Sequence, residues 1–547
     1  MRNLKTILAS LSVLSAVLMS APFLVPHLGF LSLVGLVPLL LSCEIADAHG
    51  VRHFFWYYYG SFVLWNALTT FWVCNATVGG GIFAVVANAA QMALVFAVFR
   101  FSKKRFSPIL SYIFLSVLWI AWERWYLVSA QISWPWLVLG NAFARDIRCI
   151  QWYEYTGVLG GSLWIWTSNI TVFLLLKSLM QGTLGALNVK ARIAALTFAV
   201  VCLAGPFALS FHIWNSYEEK SPEGTMDVVI GQPNLDPYQK FQALSQAQQD
   251  VILMDLLQKG LKDHQAGSPS LLLAPETFAN DVMLGHVGEG YTWNRFYSFL
   301  QSYPDANLLF GASAHEIFTT EEAPSVQARH LNDGRWYESH NSALMMDRTG
   351  RTEIFHKSKL VVGTELTPYP RFFTKVDDLL GGVMGRCVGQ DSVTVMHACS
   401  YDEDGEMLRS VPIGSVICYE SIYGEYCTEY VKRGAQALAV ITNDAWWGDT
   451  PGYRQHLSYS SLRAIETRRD IARCANTGIS AFIDQRGQIH DPSDWWEAEY
   501  LKGSVNLNDG ETFFVRSGDI PGRACVFVAL LLLLLLVVQE IKKKREA

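Results

Sequence analysis

Charged side chains are scarce in this 547-residue chain, at 17% of the total, where soluble domains carry about 25%. That shortfall, with 51% hydrophobic residues and a mean hydropathy of +0.19, points to a membrane protein with a water-facing part. Basic residues are not in excess either. The net charge of −6 offers no case for a nucleic-acid partner. The ten cysteines include no close C-x-x-C pair, which weakens a structural zinc reading. Cys43, Cys74, Cys202 and Cys525 fall in apolar runs and read as packing residues. No metal and no cofactor is expected. A clear A-x-A cleavage site is missing after the first apolar run, and more runs follow it, so a signal peptide is the weaker reading of that run.

A spanning helix needs about 20 mostly apolar residues. Seven stretches before residue 220 meet that need, at roughly 6–25, 28–43, 54–74, 80–99, 107–128, 157–179 and 193–214, the second short enough to be re-entrant. An eighth lies at 523–539. The chain therefore divides into a membrane region (1–219), a polar block of ordinary globular composition (220–515), and a last span with a basic tail (516–547). Arg2, Lys5, Arg100, Lys103, Lys104, Arg105, Lys177, Lys190 and Arg192 fall on one side of the membrane together with Lys542, Lys543, Lys544 and Arg545. By the positive-inside rule that side is cytoplasmic. An odd number of spans before the polar block then places the block outside, in the periplasm of a two-membrane bacterium.

Asn66, Asn88, Gln91 and Asn169 lie inside spans. Interhelical hydrogen bonding is the simpler account of them, and a transporter path the alternative. The segment from Ser133 through Trp134, Pro135 and Trp136 to Gly140, with Gln151 and Trp152, reads either as an interfacial aromatic belt or as a surface close to the globular block.

The polar block alternates short apolar runs with longer mixed ones, which predicts an α/β domain. Strands are expected at 226–230, 270–274, 307–313, 412–418, 437–442 and 478–484, with a hairpin at 341–357 turning at Arg348-Thr349-Gly350. Helices are expected at 240–262 and 454–474. Three reactive side chains, Glu276, Lys357 and Cys418, stand at or just past strand ends, where α/β folds gather their chemistry. Each alone has an ordinary explanation as cap, surface or core. Together they supply acyl transfer: a thiol nucleophile, a carboxylate to take its proton, and an ammonium for the oxyanion. No histidine is spaced for a Cys–His pair, since His356 adjoins Lys357 and points to the opposite face.

The motifs Ala274-Pro275-Glu276-Thr277, Phe355-His356-Lys357-Ser358-Lys359-Leu360 and Val416-Ile417-Cys418-Tyr419-Glu420 resemble the nitrilase (carbon–nitrogen hydrolase) superfamily. Asn443-Asp444-Ala445-Trp446-Trp447-Gly448-Asp449, with Gln455-His456 and Arg463-Ala464-Ile465-Glu466, narrows the resemblance to the apolipoprotein N-acyltransferase family. The resemblance covers nearly the whole chain. It implies a membrane α-helical bundle of about eight spans carrying an α-β-β-α sandwich. It also implies Glu276 as general base, Lys357 as oxyanion stabiliser and Cys418 as the residue that becomes a thioester. Glu365, Tyr419 and Glu420 match further required positions. The implied substrates are a phospholipid acyl donor and the α-amino group of a diacylglyceryl-cysteine on a lipoprotein. Two departures stand out. Val361-Val362-Gly363-Thr364 lacks the family's proline before Glu365, and Phe241 stands where a tryptophan is expected.

Residues 369–397 mix apolar pairs with glycines and read equally as a surface loop or as a mobile lid touching lipid. Cys387 and Cys399 are candidates to pair in an oxidising compartment. Two rival functions remain: a membrane-tethered amidase with the same three residues, and a non-catalytic transporter or scaffold. Lys359 is the rival for the role of Lys357.

Overall fold

A computed structural model describes residues 2–186, 188–238, 244–262, 268–379 and 384–546. The chain forms two compact units, Met1–Tyr217 with Ser517–Ala547, and Glu218–Arg516.

The first unit is helical. Helices cover Arg2–Leu24, Val37–Ala48 (preceded by a 3-10 turn at Gly29–Leu33), Phe55–Thr70, Val78–Ser102, Pro108–Val128, Tyr153–Met180, Val189–Ser216 and Ile520–Glu546. Six of these segments are long and apolar enough to cross a bilayer. Phe55–Thr70, with 16 residues, and Pro108–Val128, which carries Glu123 and Arg124, fall outside that set. The polar residues inside the helices stitch them together, as buried amides in hydrocarbon must. Asn88 Nδ2 donates to Asn66 Oδ1 at 2.7 Å, Tyr126 donates to Asn88 Oδ1 at 2.8 Å, and Asn169 Oδ1 accepts from Leu36 N at 2.7 Å. No polar path is needed to explain them. Trp136 is fully buried and Trp152 nearly so. The aromatic segment is thus packed inside the unit: Trp134 stacks on Trp136, while Trp72 meets Trp136 and Trp164 meets Trp152 edge-on.

Charges gather at the two ends of this unit. At one end Glu44 accepts from Lys177 at 2.5 Å and also pairs with Lys103, Asp47 pairs with Arg100 at 2.6 Å, and Arg105 pairs with Glu540 at 2.6 Å. At the other end Arg124 pairs with Asp519 at 2.7 Å.

The second unit holds fourteen strands among the described residues: β1 (Thr225–Gln232), β2 (Ser270–Leu273), β3 (Ala279–Met283), β4 (Ala306–Phe318), β5 (Arg329–His330), β6 (Trp336–Met346), β7 (Thr352–His356), β8 (Val395–Tyr401), β9 (Met407–Ile417), β10 (Ala437–Thr442), β11 (Ile471–Ala475), β12 (Ala481–Ile483), β13 (Ile489–His490) and β14 (Glu499–Asn506). They form an eight-stranded sheet, ordered β14-β1-β2-β4-β6-β5 with β3 on β4 and β7 on β6, and a six-stranded sheet ordered β13-β12-β11-β10-β9-β8. The sheets pack face to face around Val228, Ile230, Leu273, Leu309, Met345 and Phe355 from one, and Ile413, Ile417, Leu438 and Cys474 from the other. Helix Gln246–Gly260 and helix Tyr291–Leu300 cover the outer face of the first sheet through Leu253, Leu257, Phe296 and Leu300. Helices Gly424–Lys432 and Pro451–Thr467 belong with the second sheet. This is the α-β-β-α order that the resemblance implies.

Local chemistry sets several boundaries. Ser245 closes a capping box with Gln248, starting its helix at Gln246; the earlier part of the helix expected at 240–262 reaches into residues outside those described. The helix expected at 454–474 ends at Thr467, because Arg468 turns left-handed (φ 49°). The next residues, Ile471–Ala475, pair in parallel with β10 as a fully buried strand. Their apolar run fits helix and strand alike, and the neighbouring strand decides.

The 369–397 segment is not a continuous loop: helix Pro370–Leu379 opens it and β8 closes it, with Leu380 and Val383 outside the described residues. Its later part is tied down. Gly385 N donates to the Gly363 carbonyl at 3.0 Å, Cys387 N to the Glu365 carbonyl at 2.7 Å, and Val388 N to the Ser339 carbonyl at 2.8 Å. Cys387 and Cys399 do not pair; both are free thiols, Cys387 beside Ser339 and Cys399 against Arg351.

Candidate active site

The three strand-end residues come from two sheets. Glu276 follows β2, with Thr277 after it left-handed at φ 50°. The segment passes so close to β4 that a side chain at Gly311 would put its Cβ 2.5 Å from the Glu276 Cα. Lys357 follows β7, its N–H donating to the Asn341 carbonyl at 2.8 Å. Cys418 follows β9 and itself adopts φ 50°, a conformation that is strained for a residue bearing a Cβ. Such strain persists where the surroundings enforce it, as at a nucleophile held on a sharp turn.

These residues form a buried ionic cluster. Lys357, 1% exposed, donates to Glu276 Oε1 at 2.9 Å and to Glu365 Oε1 at 3.0 Å. Asn341 Nδ2 repeats the bridge, at 2.8 Å to Glu276 and 2.7 Å to Glu365. The second oxygen of Glu276 accepts from Asn443 N at 3.2 Å, and that of Glu365 from Val361 N at 2.8 Å. That last bond closes the turn that lacks the family's proline, with Gly363 left-handed at φ 86°. Burial opposes the charge on Lys357, but Glu276 and Glu365 outweigh it and hold the ammonium well above its ordinary pKa. Burial, reinforced by the Glu276 carboxylate, pushes the Cys418 thiol up against the opposing pull of Lys357. At rest Cys418 is therefore a thiol, and forming a thiolate there takes a base.

Lys359 stands elsewhere. Its ammonium lies over the rings of Tyr423 and Tyr426, at 5.5 and 5.6 Å. Glu420 clamps two backbone segments together. Its Oε1 accepts from Ser358 N at 2.7 Å, from Lys359 N at 3.3 Å and from Tyr426 Oη at 2.7 Å, while Oε2 accepts from Ile417 N at 2.9 Å. It joins the segment after Lys357 to the turn that carries Cys418. Tyr419 is buried beside Tyr423, with ring centroids 5.4 Å apart. Phe241 lies outside the described residues.

Sequence reasoning missed two groups. Asn341 looked like any polar residue in a hairpin strand, and only the pairing of β4, β6 and β7 aims it between the carboxylates. The second group lies beneath Cys418. A ligand atom of His456 and one of Asp444 lie within 4.8 Å of the Cys418 thiol and of each other, so the fold does bring a histidine to the cysteine. It serves the backbone, however. His456 Nε2 is 3.1 Å from the Cys418 carbonyl oxygen and 3.0 Å from Ser421 Oγ, while Nδ1 is 2.8 Å from Asp444 Oδ1. Arg473 donates to Asp444 Oδ2 at 2.6 Å. Burial alone would raise the Asp444 pKa, but Arg473, His456 and Thr442 together lower it to about 2. The only early signal was that both Asp444 and His456 sit in segments that follow the cysteine and carry the resemblance.

The chain is similar to known proteins along nearly its whole length. The family model of the carbon–nitrogen hydrolases matches residues 320–513, and that of the apolipoprotein N-acyltransferase N-terminal domain matches residues 15–171. An apolipoprotein N-acyltransferase from Chlorobaculum tepidum is 30% identical over 92% of this chain and 91% of its own. One from Geobacter metallireducens is 28% identical over 94% and 92%. Among solved structures, a nitrilase-superfamily member from Saccharomyces cerevisiae aligns at a TM-score of 0.36 and 12% identity, over 52% of this chain and 90% of that one. The second unit is thus a nitrilase-like carbon–nitrogen hydrolase domain joined to several long apolar helices. The chain belongs to the apolipoprotein N-acyltransferase family, and it is an acyltransferase.

Proposed function

We propose that the protein moves an acyl chain from a phospholipid to the α-amino group of a diacylglyceryl-cysteine on a lipoprotein, in two steps through a thioester on Cys418. The observation that carries this reading is the Lys357 ammonium between Glu276 and Glu365, beside a cysteine on a strained turn. Glu276 takes the thiol proton as sulfur attacks the ester carbonyl carbon. The oxyanion that forms is stabilised by Lys357, a charge already fixed in a dry site. Collapse breaks the ester C–O bond, and the departing lysophospholipid oxygen takes the proton back from Glu276. In the second step the lipoprotein amine attacks the thioester carbon and gives its proton through Glu276 to the departing sulfur. The amide forms and the Cys418 thiol returns.

Location belongs to the same proposal. The basic segments around Arg100, Lys103 and Lys177 gather at the end of the first unit where Glu540 meets Arg105, which supports one cytoplasmic face that includes the C-terminal tail. Asp519, near the return from the second unit, pairs at the other end, which supports a periplasmic catalytic domain in the inner membrane. We take the domain limits as 1–219, 220–515 and 516–547.

Purified protein incubated with phospholipid vesicles should gain one long-chain acyl mass on Cys418, released by a diacylglyceryl peptide with a free amine. The Cys418→Ala variant should gain none. Absence of any adduct on the wild type would favour the amidase alternative, and restored lipoprotein N-acylation by Cys418→Ala in a depleted strain would favour the scaffold.

A further inference from the structure

Behind the catalytic cluster, on the opposite face of the same sheet, β4 and β6 bring together three side chains that the reaction does not use. Glu316 and Glu338 are direct cross-strand partners, and Ala314 faces His340 two pairs further along. Side chains alternate along a strand, so Glu338 and His340 share the face away from Asn341. One ligand atom each from Glu316, Glu338 and His340 lies within 4.8 Å of the others. Two carboxylates directly opposite in an antiparallel pair repel each other. Among the described residues neither is paired with a lysine or arginine.

The buried members are left incomplete. Glu338 and His340 are each 7% exposed, yet Glu338 Oε1 and His340 Nε2 have no hydrogen-bond partner. A buried polar atom without a partner is destabilising, so two in one cluster call for a ligand. The other ring nitrogen, Nδ1, lies 2.9 Å from the Val388 carbonyl oxygen, which assigns the proton to Nδ1. That contact leaves the Nε2 lone pair free to bind a cation. It is also the outer-shell support that metal-bound histidines ordinarily have. Val388 is itself fixed, donating to the Ser339 carbonyl at 2.8 Å.

We propose that Glu316, Glu338 and His340 bind one divalent transition-metal ion of the zinc class. An imidazole with two carboxylates suits such an ion, whereas calcium prefers an all-oxygen shell. Water completes the coordination on the side of Glu316, the less buried ligand. The ion removes the repulsion between β4 and β6 and fixes the strand whose other face presents Asn341. The site is structural, and it does not depend on the acyl-transfer reading.

Full-length protein in detergent, stripped with a chelator, is titrated calorimetrically with Zn²⁺, Mn²⁺ and Ca²⁺, and its metal content is measured by mass spectrometry. One equivalent of Zn²⁺ should bind and raise the thermal midpoint. His340→Ala and Glu338→Gln should each weaken binding at least about tenfold. Glu316→Gln, at the less buried position, should do the same without opening the core. Because Cys418, Asp444 and His456 form a second group with ligand-like spacing, Cys418→Ala is titrated in parallel and should keep the full equivalent. The proposal fails if the wild type takes up no Zn²⁺, if it prefers Ca²⁺, if all three ligand variants bind as the wild type does, or if Cys418→Ala loses the ion.

Discussion

Replacing Asn341 by leucine tests whether the bridging amide matters to the reaction. The side chains are close in size, so the change removes two donors while leaving no large cavity. Each lost bond runs to a carboxylate, at 2.8 Å to Glu276 and 2.7 Å to Glu365. Hydrogen bonds to charged groups contribute about 1.5–3 kcal/mol each, so the two together set an upper bound of about 3–6 kcal/mol. Lys357 keeps both of its own contacts, at 2.9 and 3.0 Å, so the cluster should survive with a looser Glu276. On the proposed mechanism a misaimed Glu276 slows proton removal from a thiol that burial already holds protonated. We expect acyl-enzyme formation to fall about 100- to 1000-fold, equivalent to about 3–4 kcal/mol of barrier. The assay is the time course of the acyl mass on Cys418, with the dependence on lipid concentration measured alongside. The rate at saturating lipid should drop while the half-saturating concentration changes little. Wild-type acylation kinetics in Asn341→Leu would refute the bridge as a catalytic support.

Two further outcomes follow from the geometry. Lys357→Met should abolish acyl-enzyme formation by leaving the Glu276 and Glu365 carboxylates without their cation, whereas Lys359→Met, which removes the contacts over Tyr423 and Tyr426 and a charge near Glu420, should retain it within about tenfold; the reverse order, read from the same mass assay, would overturn the assignment. Asp444, lowered from 3.8 to about 2 in the folded state, contributes stability that is complete above its unfolded pKa and is lost as pH falls from about 3.8 through about 2. The contribution is about 2 kcal/mol, so thermal midpoints measured at pH 5 and pH 2.5 should differ less in Asp444→Asn than in the wild type. Equal acid sensitivity of the two would contradict the Arg473–Asp444–His456 network.

Much was legible from residues alone because it is local. Runs of about 20 apolar residues must be helical wherever water is absent, and alternating short runs around Glu276, Lys357 and Cys418 mark strands whose ends expose side chains. The Arg348-Thr349-Gly350 turn fixed the hairpin that delivers Lys357, with Met346 facing Thr352. What the chain could not display is register between distant strands. Glu276 and Lys357 are 81 residues apart, and only the order β2-β4-β6 with β7 on β6 sets them 2.9 Å apart.

The same holds for the residues that sequence reasoning overlooked or misread. Asn341 and His340 are neighbours, yet the pleat sends one to the carboxylates and the other to Glu338. His456 reaches the Cys418 carbonyl because a helix packs behind the turn. Ile471–Ala475 became a strand because β10 offered a parallel partner. Composition and periodicity determined where the membrane helices lie and which residues end the strands. Tertiary structure alone decided which polar groups meet, because hydrogen bonds depend on positions set by the whole sheet, and a slip of one residue would turn each of these side chains to the other face.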